Sequence, residues 1–238
     1  MDGLDSVEAR SRAHYDAIAG SYDAVLDSPG NRRLRECFWR YVEAAVPRPA
    51  RLLDFGAGSG IDAAHFAALG HDVTAYDLSE AMIAILQRRC AAAIADGKVT
   101  ALAGPLDAVQ GKLAARAPFD AIVSNFAVFS TIARLDPLFR RLGALARPGA
   151  PLIASIQNPW YPGDMRSTAF WRALLAAPFT GSLRYPSAGL RHVHHYTPGQ
   201  LRRAARPAFE PDARPPPACG NDCFGPRSPF RVVSLRRS

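Results

Sequence analysis

The chain has 238 residues, 48% of them hydrophobic and 21% charged, which is enough for one domain with a full core and too apolar for a disordered segment. No apolar run reaches the roughly 18–20 residues that would span a bilayer, and the mixed-charge start (MDGLDSVEARSRAHYD) has no apolar signal stretch, so a cytoplasmic location without a membrane partner is expected. The net charge of +8 rests on Arg, with Lys only at Lys98 and Lys112, and pairs such as Arg32-Arg33, Arg88-Arg89, Arg140-Arg141 and Arg202-Arg203 mark solvated helix faces rather than one phosphate-binding patch.

Residues 31–46 place Leu34, Cys37, Phe38, Tyr41, Val42 and Ala45 at helical spacing, and Pro47 and Pro49 stop that helix. A buried strand, Leu52–Phe55, leads into a glycine-rich turn and a helix over 62–69 closed by Gly70. A second strand, Asp72–Tyr76, passes through Asp77 to a helix beginning at Ser79. Residues 98–103, 119–124 and 151–156 read as further strands, the second buried on both faces, with a helix over 135–146 ahead of Pro148-Gly149. Strands alternating with helices predict a mostly parallel α/β sheet with helices on both faces. Residues 157–196, rich in Pro, Gly and aromatics, read as an insertion with one helical piece near 167–176. A helix over 198–207 follows Thr197, residues 211–229 read as loop, and Phe230–Leu235 as a last edge strand.

The cysteines are Cys37, Cys90, Cys219 and Cys223, and only the last two are close together. A single C-x3-C without a second pair is a poor zinc signal, so reduced thiols and no metal are expected. Pairing of Cys219 with Cys223 stays open.

The most informative segment is Asp54-Phe55-Gly56-Ala57-Gly58-Ser59-Gly60, between a buried strand and a helix. Its D-x-G-x-G-x-G spacing differs from the G-x-G-x-x-G of dinucleotide enzymes. It resembles the first motif of class I, Rossmann-like S-adenosylmethionine-dependent methyltransferases. The resemblance implies that Asp54, Gly56, Ala57, Gly58 and Gly60 floor the cofactor. Asp77, 17 positions after Gly60, can accept from both ribose hydroxyls, as in either cofactor class, or simply cap a helix. With it the resemblance assigns Leu78 and Met82 to the cofactor. Leu106-Asp107 falls where the family lines the adenine, with a plain helix start as the alternative. Asn125-Phe126 falls where it floors the methyl; this segment lacks the paired prolines of DNA amino-methyltransferases, which argues against a nucleic-acid amine.

Residues 15–23, Tyr15-Asp16-Ala17-Ile18-Ala19-Gly20-Ser21-Tyr22-Asp23, are similar to the F-D-x-x-A-x-x-Y-D lid of quinone-biosynthesis and related small-molecule methyltransferases. That implies that Tyr15 and Tyr22 lie over the cofactor, where a tyrosine face suits a sulfonium; packing aromatics of an amphipathic helix are the alternative. The implied organisation is one domain: a helical lid over 1–46, a cofactor-binding core over 50–156, a substrate-side insertion over 157–196, and a terminal helix and strand over 197–238.

Methyl transfer is a direct displacement, so alignment supplies much of the rate, and a base is needed only for acceptors that must lose a proton. His194 and His195 are the candidates for base or acceptor hydrogen-bond partner, against a polar hairpin with surface histidines. In extended chain His192 and His194 share one face, Val193 and His195 the other. Tyr22, Phe126, Phe129, Trp160, Tyr161, His195 and Tyr196 suggest a pocket for an aromatic or heteroaromatic acceptor. The expectation is methyl transfer from S-adenosylmethionine to N, O or C of a small biosynthetic metabolite, releasing S-adenosylhomocysteine, by a monomer or homodimer. An RNA-modifying enzyme on the same fold is the alternative.

Overall fold

The computed structural model describes residues 2–180, 182–186, 190, 192–212 and 223–238. In chain order the elements are α1 (Asp2–Leu26), α2 (Pro29–Ala45), β1 (Arg51–Phe55), α3 (Ile61–Ala68), β2 (Asp72–Asp77), α4 (Glu80–Arg89), α5 (Ala91–Ala95), β3 (Val99–Ala103), α6 (Leu106–Arg116), β4 (Ala121–Ser124), α7 (Leu135–Leu145), β5 (Pro151–Gln157), α8 (Thr168–Thr180), β6 (Leu183–Pro186), β7 (His192–His195), α9 (Pro198–Ala205), β8 (Phe209–Pro211) and β9 (Phe230–Arg237). Local chemistry sets several boundaries. Ser28 accepts from the Asn31 amide ahead of Pro29, and Ser79 from the Met82 amide. Thr197 and Gln200 form a reciprocal capping box on α9.

Seven of the described strands form one sheet in the order β3-β2-β1-β4-β5-β9-β8, with β1 to β5 parallel. Alternation along β1 and β4 fills a layer on each face: Leu53, Phe55 and Ile122 pack with Phe129, Phe139, Leu152 and Phe209, while Leu52 and Val123 pack with Phe38, Phe66 and Leu86. Because β2 and β4 lie on opposite sides of β1, the connections diverge there, and the C-terminal ends of these strands frame a crevice.

Three expectations change. The last strand is not at the edge: β9 runs antiparallel between β5 and β8. The edge is the three-residue β8, too short to show a period and ending in Pro211, which an edge tolerates. Phe129 is 1% exposed, stacked edge-on against Phe139 inside the core, and forms no pocket wall. Cys37 and Cys223 are joined as a disulfide across 186 positions, a pairing that spacing could not reveal, so the reading of reduced thiols fails for these two. Cys90 is a buried free thiol, and Cys219 lies outside the described residues.

Within the insertion, β6 and β7 form an antiparallel hairpin pairing Leu183 with His195 and Tyr185 with Val193. Tyr185 and His195 share one face; Arg184, His192 and His194 share the other. Both His194 and His195 are buried, so the surface-histidine alternative is also corrected. No described helix is long and apolar enough to cross a membrane.

Candidate active site

A cavity of about 370 Å³ opens along the C-terminal ends of β1, β2 and β4. Gly56 and Gly58 enter its floor with φ of +79° and +53°. Gly56 must be glycine for a second reason: a Cβ there would meet the Val128 side chain at 2.5 Å. Gly60 and Ala57 support the turn without lining the cavity, and a Cβ on Gly60 would strike Leu86 at 2.5 Å.

Asp77 closes the turn onto the neighbouring strand. Its carboxylate accepts from the Gly58 amide at 2.8 Å and the Ser79 amide at 2.9 Å, and it lines the cavity. Each oxygen has a lone pair left for a hydroxyl. Burial raises the Asp77 carboxyl above its ordinary range. Leu78, Met82 and Leu106 line the same wall, and Asp107 stands at the rim with Arg141 at 2.5 Å.

Asp54 lies beneath the floor, 2% exposed, with Oδ2 lacking any partner. Burial raises its carboxyl well above the usual range, and Asp62 and Asp77 push the same way. A buried carboxyl with an orphaned oxygen facing two more acids is poised for a cationic group. An S-adenosylmethionine ammonium and sulfonium meet that demand, so the residues present fit this cofactor.

The loop after β4 is held by a hub that the sequence reading missed. Asp62 accepts from Arg35 at 3.0 Å, Trp39 at 2.8 Å and Asn125 at 3.0 Å. The Asn125 amide oxygen accepts from the Phe126 amide and the Ser155 hydroxyl, both at 2.8 Å. Asn125 is thus committed at both ends to the loop's own structure. This matters because Phe126 and Ala127 have φ of +52° and +61°, a conformation that costs roughly 1–2 kcal/mol per non-glycine residue. The Arg35 guanidinium sits 4.6 Å from the Phe126 ring centroid. The sequence signal was an acid in the first turn of α3, indistinguishable from an ordinary helix-start carboxylate.

α1 covers the cavity. Tyr15 and Tyr22 line it with ring centroids 6.4 Å apart, and Tyr22 is 3.6 Å from where a Gly58 Cβ would stand. Asp16 accepts from the Ser79 hydroxyl at 2.5 Å, and Asp23 binds Ser59 and Arg89. Burial pushes Tyr15 up to about 12 and Tyr22 further, so both stay neutral phenols at physiological pH.

The remaining predicted residues do not line this cavity. Trp160 is exposed, and Tyr161 packs on Gly163. Tyr196 donates to the Ile132 carbonyl at 2.6 Å and stacks on His194. His194 pairs with Ser182 at 2.9 Å, and His195 lies 3.9 Å from Asp164. Among the described residues no cluster of His, Cys, Asp and Glu could hold a metal.

Sheet order, glycine turn, the acid ending β2 and the aromatic cover together define a class I methyltransferase, a fold whose methyl donor is S-adenosylmethionine. A family model described as a methyltransferase domain matches residues 30–208, and the chain belongs to that family. The demethylmenaquinone methyltransferase of Clavibacter sepedonicus is 37% identical over 84 residues, a match spanning only 33% of either chain. The CcbJ methyltransferase of Streptomyces caelestis superposes with a TM-score of 0.68 at 19% identity, covering 96% of this chain and 99% of that one. The 1,6-didemethyltoxoflavin-N1-methyltransferase of Burkholderia thailandensis, solved with 1,6-didemethyltoxoflavin and S-adenosylhomocysteine, gives 0.68 at 22% identity, covering 100% and 92%.

Proposed function

We propose that this protein transfers a methyl group from S-adenosylmethionine to a nitrogen, oxygen or carbon of a small, planar acceptor in a biosynthetic reaction. The observation that carries the reading is the cavity along the strand ends, lined by Gly56, Gly58 and Asp77 and walled by Tyr15, Tyr22 and Phe126. Gly56 and Gly58 would hold the cofactor's backbone-facing side, Asp77 its ribose hydroxyls, and Leu78, Met82 and Leu106 its adenosine. Asp54 would offset its positive charge from below. When bound, the cofactor supplies an electrophilic methyl group.

The protein's part is positional. Neutral phenols at Tyr15 and Tyr22 cannot serve as bases at pH 7; they offer ring faces and exclude water. The Asp62–Asn125 hub fixes the loop against which the acceptor would lie. The similar structure solved with bound 1,6-didemethyltoxoflavin and S-adenosylhomocysteine supports a small-molecule acceptor.

An RNA acceptor, suggested by the +8 charge, is disfavoured by where the cations stand. Arg32, Arg48, Arg89, Arg116, Arg141, Arg206 and Arg236 each pair with an acid and are spread over the molecule. Incubation with labelled S-adenosylmethionine, a panel of phenols and N-heterocycles, and separately total RNA tests both. Label on a small molecule supports the reading; label on RNA alone, with affinity falling steeply in salt, replaces it.

A further inference from the structure

The hairpin of β6 and β7 holds a polar cluster that the cofactor site does not use. On one face, the rings of Tyr185 and His195 lie 4.4 Å apart, centroid to centroid. The Tyr185 hydroxyl and the His195 Nδ1 are both buried, and neither has a hydrogen-bond partner. The Asn158 backbone favours a proton on the His195 ring, and with Nδ1 unpartnered that proton is assigned to Nε2, leaving the lone pair on Nδ1. Asp164 Oδ2 is 3.9 Å from that nitrogen, in the short turn that carries Tyr161 against Gly163. Burial holds the imidazole at about 4, so it is neutral at physiological pH and the contact with Asp164 is not an ion pair.

Two orphaned polar atoms on one buried face are costly unless something fills them. Their chemistry is complementary: Nδ1 accepts, and the phenol donates. Their place in the fold says what they face. Along the crevice, Asp77 ends β2, the glycine turn follows β1, and Phe126 follows β4. Asn158 follows β5, the next strand in the sheet. β5 and β4 are tied there by the Ser155–Asn125 hydrogen bond. Ribose, methionine and methyl positions therefore run β2, β1, β4, and the cluster stands one strand further on, where an acceptor would extend away from the donor.

We propose that Tyr185 and His195, with Asp164 beside them, form the subsite that takes the polar edge of the acceptor. His195 Nδ1 accepts from an N–H or O–H, and the Tyr185 hydroxyl donates to an adjacent carbonyl or ring nitrogen. The acceptor class is thus a planar lactam, hydroxy-heterocycle or phenol with a neighbouring carbonyl. This inference rests on the methyl-transfer reading and specifies its acceptor.

Two isosteric probes test it. 2-Quinolone carries a ring N–H beside its carbonyl; coumarin has the same shape with a ring oxygen instead. Each is titrated calorimetrically into protein saturated with S-adenosylhomocysteine. 2-Quinolone is expected to bind at least about tenfold more tightly, since a site built to pair an N–H rejects the analogue lacking it. His195→Gln should abolish the preference, Tyr185→Phe should weaken both probes, and neither should shift the S-adenosylhomocysteine affinity more than about twofold. Equal affinities in the unaltered protein, a preference that survives His195→Gln, or no binding of either probe (the cluster then holding only water) overturns the subsite. Failure of S-adenosylhomocysteine itself to bind would instead remove the methyl-transfer reading beneath it.

Discussion

At the scale of single residues, the acids divide by what their environment asks of them. Asp77 faces the cavity with lone pairs to spare, Asp54 is buried with an unmet oxygen, and Asp62 is saturated by Arg35, Trp39 and Asn125. The third role is structural, and it gives Asn125 a different meaning from that of a residue reaching for substrate. Asn125→Ala leaves Asp62 Oδ2, the Ser155 hydroxyl and the Phe126 amide short of partners, and should destabilise the protein by about 2–4 kcal/mol in urea unfolding. Release of the left-handed turn at Phe126 should also lower kcat by about 10–100-fold with little change in S-adenosylhomocysteine affinity, read by steady-state kinetics and calorimetry. Unchanged kcat in a folded variant contradicts the hub. The glycine turn and Asp77 were legible because their residue types and spacing follow from backbone approach to a cofactor. Asp62 was not, because its partners come from positions 35, 39 and 125 and only folding brings them together.

At the scale of elements, α1 and the insertion hairpin carry what the core does not. α1 is latched by Asp16 to Ser79 and Ala81 and by Asp23 to Ser59 and Arg89. Asp16→Ala should weaken S-adenosylhomocysteine binding about tenfold and speed amide exchange within 8–26; unchanged exchange would detach the latch from Asp16. Burial pushes the Asp23 carboxyl up, but hydrogen bonds from Ser59 and Arg89 outweigh it and leave the carboxyl below its usual range. A depressed carboxyl contributes fully above its unfolded value near 3.9 and loses that contribution as pH falls through its folded value, so this anchor persists across pH 5–8. His194 behaves oppositely to a paired histidine. Burial, with Arg184, His192 and His195 nearby, holds it at about 4. Below its unfolded value near 6.5 the unfolded chain binds more protons, so the stability it contributes is present above pH 6.5 and lost towards pH 4. Relative to His194→Gln, the protein should lose on the order of 3 kcal/mol over that interval in denaturant titrations; parallel profiles would refute the buried neutral ring. The segment over the cavity was expected only from the resemblance of residues 15–23 to a family motif, since aromatic spacing alone fits a packing helix face equally well. Burial of the hairpin was not, because HVHHY alternates no more clearly toward a core than toward solvent.

At the scale of the whole molecule, the parallel core β1 to β5 was predictable because a buried strand followed by a helix repeats along the chain, although the strand order reverses once, with β4 returning to the far side of β1. The far side was less so: β8 is three residues long, and the Cys37–Cys223 link spans most of the chain. What ties all scales together is the claim that the crevice where the strand connections diverge holds S-adenosylmethionine, with Asp77 as the anchor that names the cofactor's ribose. Calorimetric titration with S-adenosylhomocysteine, NAD and NADP, on the unaltered protein and on Asp77→Ala, tests this most directly. The account predicts micromolar binding of S-adenosylhomocysteine alone, weakened about 100-fold in the variant as two charge-assisted hydrogen bonds are lost. Binding of NAD or NADP in its place, or S-adenosylhomocysteine affinity indifferent to Asp77, would contradict it.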